Sequence, residues 1–182
     1  MGCKFILNNA LSILESIRKN IGIEAFDNII KACGTLEVKS TLYKQSKYVK
    51  AVLNELDNAY GTDAVKKAMM PCGHQCISDG VILKAKKIYK KSGNLNDFLR
   101  LMNEQHIGGS KLHVKDGNII GIYEKCYCSL ARQAKDITST YCYCSAGWYQ
   151  RLFSSVFEKY VTVVKKQTIL EGYDRCVFEI VF

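Results

Sequence analysis

The chain has 182 residues, 48% of them hydrophobic and 24% charged, with a single proline. It is long enough for one domain that buries its core without covalent staples, and its composition excludes a disordered or fibrous chain. The formal charge of +9 invites a nucleic-acid partner, but the excess is dispersed: 8 basic and 6 acidic groups in residues 1–60, 8 and 4 in 61–105, 10 and 7 in 106–182. Only Lys84, Lys86, Lys87, Lys90 and Lys91 cluster. Beside Val81, Ile82, Ala85 and Ile88 they read as the solvated face of a helix rather than a phosphate-binding surface.

The opening "MGCKFILNNALSILESIRKN" has the outline of a secretory leader, but Asn8, Asn9, Ser12 and Glu15 interrupt its apolar run. No small-residue cleavage site follows, and Ile6 stands where myristoylation wants Ser or Thr. The expectation is a cytoplasmic protein with no membrane segment. Phe5, Ile6, Ala10, Ile13, Leu14 and Ile17 recur at helical spacing up to Gly22, and Ile23, Phe26, Ile29, Ile30 and Cys33 repeat the pattern up to Gly34. A third helix carries Val49, Val52, Leu53 and Leu56 and closes at Gly61. Thr62 can cap a short helix through Met69, which Pro71 should interrupt. A fifth helix runs from about Ser78 to Lys91 and ends at Gly93. Asn94 caps a sixth, whose apolar face is Leu95, Phe98, Leu99, Met102 and His106.

After Gly108 and Gly109 the period changes. "KLHVKDGNIIGIYEKCYC" predicts a hairpin, with Asp116–Gly117 supplying the positive-φ turn. A helix follows from about Ala146 to Phe157, and "VTVVKKQTIL", "EGYD" and "RCVFEIVF" predict a closing hairpin. The fold class expected is α+β: one domain over 1–182, with a helical half to residue 106 packed on an antiparallel sheet of two hairpins separated by a helix.

Nine cysteines are the other feature. Disulfides suit neither the expected reducing compartment nor the odd count. Two pairs, Cys126/Cys128 and Cys142/Cys144, each flank a tyrosine. Read as strands, each pair shares a face, Cys126 and Cys128 with Ile120 and Ile122. "PCGHQC" adds Cys72 and Cys76, four apart and adjacent on one helical face. Thiolates so placed suit tetrahedral zinc, with an iron–sulfur cluster as the alternative. The competing reading is ordinary burial, because cysteine packs as a small hydrophobe. Cys3 and Cys33 are expected to be packing residues, and Cys176 to be core on the last strand.

The segment "CYCSAGWYQRLFSSVFEKYVTVVKKQTILEGYDRCVFEIVF" resembles the closing part of 4-vinyl reductase-type domains, through Cys144, Gly147, Gly172, Asp174, Cys176 and Phe178. It is similar as well to L-2-amino-thiazoline-4-carboxylate hydrolase-like proteins, and through the fold to transport-particle subunits and haem nitric-oxide sensors. The resemblance implies helices on an antiparallel sheet around a small-molecule cavity, and subunits that often pair as homodimers. It favours a small-molecule-binding or sensor domain, to which the cysteine spacing adds a metal site. The alternative is a hydrolase acting on a small sulfur- or nitrogen-containing ring, and the third reading is nucleic-acid binding. Candidate residues are His106 for acid–base catalysis, Tyr123 and Trp148 for the ligand pocket, and Cys72, Cys76, Cys126, Cys128, Cys142 and Cys144 for metal. His106 precedes a glycine pair and is read first as a helix cap, and Trp148 first as an anchor of its helix on the sheet.

Overall fold

The computed structural model describes residues 9–134 and 137–182. Five helices come first: α1 (Asn9–Asn20), α2 (Ile23–Cys33), α3 (Leu42–Cys76), α4 (Asp79–Lys91) and α5 (Leu95–Glu104). A hairpin of β1 (His113–Lys115) and β2 (Asn118–Tyr123) follows, then α6 (Ser129–Ala134), a 3-10 turn at Ser139–Cys142 and α7 (Tyr143–Phe157). The chain closes with β3 (Thr162–Gln167), a 3-10 turn at Ile169–Glu171 and β4 (Cys176–Val181). The sheet is antiparallel throughout, in the order β1-β2-β4-β3. The architecture is α+β.

Local chemistry explains most boundaries. Ser78 accepts from the Val81 amide at the start of α4, and Asn94 accepts from the Asp97 amide at the start of α5. Each satisfies one of the donors that a helix start leaves unpaired. The hairpin turn is Asp116 and Gly117, with φ of 51° and 80°, the left-handed pair that a two-residue hairpin loop needs.

Three boundaries differ from expectation. The third and fourth predicted helices are one element, α3, bent at Gly61, whose φ of 78° and ψ of 168° are not helical. Thr62 does not cap a new helix there; its hydroxyl donates to Asp57. Pro71 lies inside α3, which continues to Cys76. The ring costs a backbone hydrogen bond, and tertiary packing of this last stretch outweighs the loss. Helix α7 begins at Tyr143, three residues before Ala146.

That packing is a crossing of α3 over α7 at two glycines. A Cβ added at Gly73 would collide with the carbonyl of Cys144, and one at Gly147 would collide with the carbonyl of Met70. The helices therefore meet backbone to backbone, each opening a gap for the other. On one side lies a helical core with Ile17, Ile29, Leu53, Leu56, Val65 and Leu130. On the other, α4, α5 and α7 cover the sheet through Phe98, Met102, Tyr149, Phe153, Phe178 and Ile180.

The crossing predicts the cost of a single methyl group. Gly73→Ala and Gly147→Ala should each destabilise by about 3 kcal/mol or more, since the obstacle is backbone that no rotamer relieves. Gly93→Ala, at a site with open space around it, should stay within about 0.5 kcal/mol. Thermal unfolding followed by circular dichroism compares the three.

Candidate thiol centre

The paired cysteines are not on strands. β2 ends at Tyr123, and Cys126 and Cys128 lie in the irregular segment leading into α6. Cys142 closes the 3-10 turn, and Cys144 is the second residue of α7. Residues two apart on a helix are separated by about 200°, so these two thiols point to opposite sides instead of sharing a face.

The contacts follow that division. On the α3 side, Cys144 and Cys128 stand near Cys72, all close enough to bear on the Tyr141 hydroxyl. The Cys128 Sγ is 3.1 Å from the Tyr141 Oη, and the Cys72 thiol donates to the Ala68 carbonyl at 3.4 Å. Cys72 precedes Gly73, and the Cys144 carbonyl is the group that Gly73 accommodates, so the glycine crossing itself brings these two thiols together. Cys126 donates to the Cys128 carbonyl at 3.8 Å and lies between this group and a second one.

The second group is Cys142 with Cys176, the first residue of β4. The two thiols lie close enough to shift each other's acidity, and the Ile169 amide donates to the Cys176 Sγ at 3.3 Å. Thr168 is fully buried, and its hydroxyl lies between Cys142 and the Glu171 carboxylate. Cys176 is buried in the core at the head of β4, as expected. Cys142 faces Cys176, away from Cys144. Cys76 is disulfide-bonded, which corrects the expectation that disulfides do not suit this chain and removes Cys76 from the candidate ligands. Cys33 is a partly buried packing residue, as expected, and Cys3 lies outside the described residues.

The thiols differ in acidity. Burial pushes Cys72 up to about 11 and Cys144 well above the ordinary range, and raises Cys126 as well. The interaction of the two neighbouring thiols pushes Cys142 up and pulls Cys176 down, and the Ile169 amide also favours the Cys176 thiolate. A group with a lowered value ionises earlier as pH rises. Alkylation of Cys176 by iodoacetamide should then rise through a midpoint below that of an ordinary thiol, about 8.5, while Cys72 stays protonated and slow between pH 7 and 9. Peptide mass spectrometry of pulse-labelled protein reads both. A Cys176 midpoint at or above the ordinary one would contradict the pairing.

The other expected site residues lie elsewhere. Tyr123 is in an aromatic stack, 5.2 Å from the Tyr149 ring and 5.7 Å from Phe178. Tyr149 donates to the Gly108 carbonyl at 2.9 Å, and Gly121 is where its ring passes over β2. Rings thus fill the space between α7 and the sheet where the resemblance implied a ligand cavity. Trp148 packs edge-on against Tyr149 at 5.5 Å and is half-buried. His106 is exposed in the turn after α5, with φ of 53° and its Nδ1 3.0 Å from the Ser110 hydroxyl. His74 is hydrogen-bonded to Gln150 at 3.0 Å. Arg151 donates to the His74 and Ile77 carbonyls and pairs with Asp79 at 2.6 Å, tying the end of α3 to the start of α4. Lys86 pairs with Glu158 at 3.2 Å, at the edge of a surface groove of about 190 Å³.

Sequence reasoning missed Thr168 and Tyr141, and took Cys176 only as core. The "RCVF" at the head of the last strand was a usable signal, because a cysteine that opens an inner strand sits where loops from other elements converge.

Among the described residues, no group of three or more His, Cys, Asp or Glu side chains stands close enough to one point to hold a metal ion. No described helix is long and apolar enough to cross a membrane. The chain matches a family of unknown function, DUF6144, over residues 7–182 and belongs to that family. No curated protein matches it.

Proposed function

We propose that the chain is a metal-binding domain of the sensing kind, with a thiolate centre formed by Cys72, Cys128 and Cys144, and Cys126 as the fourth ligand. The observation that carries this reading is the gathering of these thiols from three separate stretches of chain at the α3–α7 crossing. The donor set fits a soft or borderline cation: four sulfurs suit structural zinc, and an iron–sulfur cluster is the alternative. Zinc would supply a fixed tetrahedral anchor joining α3, α7 and the segment before α6.

The protein's own residues set the terms of binding. Cys72, Cys126 and Cys144 are held toward the neutral thiol by burial, so a metal must displace their protons and apparent affinity falls as pH falls. The resemblance to ligand-binding and sensor domains supports a signalling role over a purely structural one. The ring-filled space between α7 and the sheet shifts weight from a small-molecule cavity to the thiols.

Elemental analysis of anaerobically purified protein, paired with a free-thiol count, tests the proposal. The expected result is zinc or iron near one equivalent, with Cys72, Cys126, Cys128 and Cys144 protected until a chelator is added. Protein without metal whose thiols titrate freely once unfolding is excluded would overturn it.

A further inference from the structure

Away from the thiols, α4 and the end of α7 frame a surface groove of about 190 Å³, lined by Lys86, Tyr89, Lys90, Val156, Phe157 and Glu158. Its apolar part is a run of ring contacts. Tyr89, 41% exposed, meets Phe157 edge-on at 5.2 Å, and Phe157 meets the exposed Phe182 at 5.2 Å. The Lys159 ammonium stands 4.7 Å from the centre of the Phe182 ring. Residues three and four apart share a helix face, so Lys86, Tyr89 and Lys90 form one stripe of α4. Leu83, 59% exposed, extends that stripe by a turn.

The charge around the groove has one sign. Lys84, Lys87, Lys90 and Lys91 are exposed on α4, and among the described residues none of them has an ion-pair partner. The acids of α4 and α5 are already neutralised: Asp79 pairs with Arg151 at 2.6 Å, and Arg100 holds both Asp97 and Glu104. Glu158 is the one acid in the lining. Its side chain is 78% exposed and reaches Lys86 at 3.2 Å. An ion pair so exposed contributes little to stability, so a carboxylate from another molecule can take its place.

We propose that this face docks an acidic segment of a partner protein, which seats one aromatic or aliphatic side chain in the groove and sets its flanking carboxylates on the lysines. The groove is smaller than the about 300–1,000 Å³ of a pocket for a drug-sized ligand, so it suits one side chain rather than a whole metabolite. An apolar anchor concentrates affinity, and the complementary charge around it steers the encounter and fixes register. Nucleic acid fits less well, because single strands stack successive bases on open ring faces. Here Tyr89 and Phe157 meet at 81°, so the rings close on each other instead of forming a platform. None of these residues belongs to the thiol centre, so docking and metal binding are separable.

Fluorescence polarisation of the full chain with a labelled peptide, one phenylalanine flanked on both sides by aspartates and glutamates, tests the proposal. The expected result is saturable binding that weakens as salt rises and as the peptide's phenylalanine is changed to alanine, a change that leaves the protein untouched. Lys90→Glu should weaken binding by about tenfold or more, since it sets like charges face to face. Glu158→Gln removes the internal competitor for Lys86 and should tighten binding by about threefold. Lys31→Glu, the same charge change on exposed α2, should leave the affinity as it was, and circular dichroism checks that each variant is folded. Absence of binding, binding that Lys90→Glu and Lys31→Glu weaken alike, or indifference to the phenylalanine would overturn the proposal. So would tighter binding of a single-stranded oligonucleotide or of phosphatidylserine vesicles than of the peptide.

Discussion

The contact between two peptide backbones, at Gly73 on α3 and Gly147 on α7, is what the remaining structure is built around. Neither helix can carry a side chain there, because each carbonyl occupies the volume that a Cβ would need. Such closeness fixes the relative rotation of both helices, since close-packed interiors tolerate little overlap. Fixing α7 fixes what its opposite side meets: Tyr149, Leu152, Phe153 and Val156 are buried, and the Tyr149 ring lies over the glycine of β2. Fixing α3 holds its C-terminal stretch in place against the penalty of Pro71. Arg151, four residues along α7 from Gly147, then reaches the last carbonyls of α3 and the first turn of α4.

The same contact explains why the thiols fall into two groups. Cys72 and Cys144 flank the crossing, and their proximity is a by-product of helices that touch. Cys142 lies before the first turn of α7, on the side facing β4. The segment carrying Cys126 and Cys128 passes between these positions and joins the two neighbourhoods. Buried thiols held neutral are tolerable in a core, because cysteine without charge behaves as a small apolar group. Burial of so many together, from separate elements, is hard to explain by packing alone when Ala or Val would fill the same volumes. Under the proposed function these sulfurs serve as ligands for a metal.

Much of the fold was legible from local signals. Gly22 and Gly34 bracket α2, and both have the positive φ that only glycine adopts freely, so the predicted and observed ends agree. Ser78, Asn94 and Asp116–Gly117 have the roles that their side chains and backbone preferences predict. The site was less legible, because its geometry depends on partners distant in sequence. The alternation of Ile120, Ile122, Cys126 and Cys128 looks like one strand, yet pairing with β4 ends at Cys176, and past Tyr123 the chain has no neighbour to hold it extended. Tyr and Cys at 141–144 have strand-like propensity, which the fit of Gly147 against α3 overrides in favour of helix. The pairing of Cys142 with Cys176, separated by a helix and a strand, has no local signature at all.

The central claim, that the α3–α7 crossing gathers sulfur ligands for a metal, is tested most directly by X-ray absorption at the zinc edge of protein isolated without added metal. The account predicts a shell of four sulfurs at about 2.3 Å. A shell of nitrogen and oxygen at about 2.0 Å, or protein that holds no metal at all while folded, would contradict it.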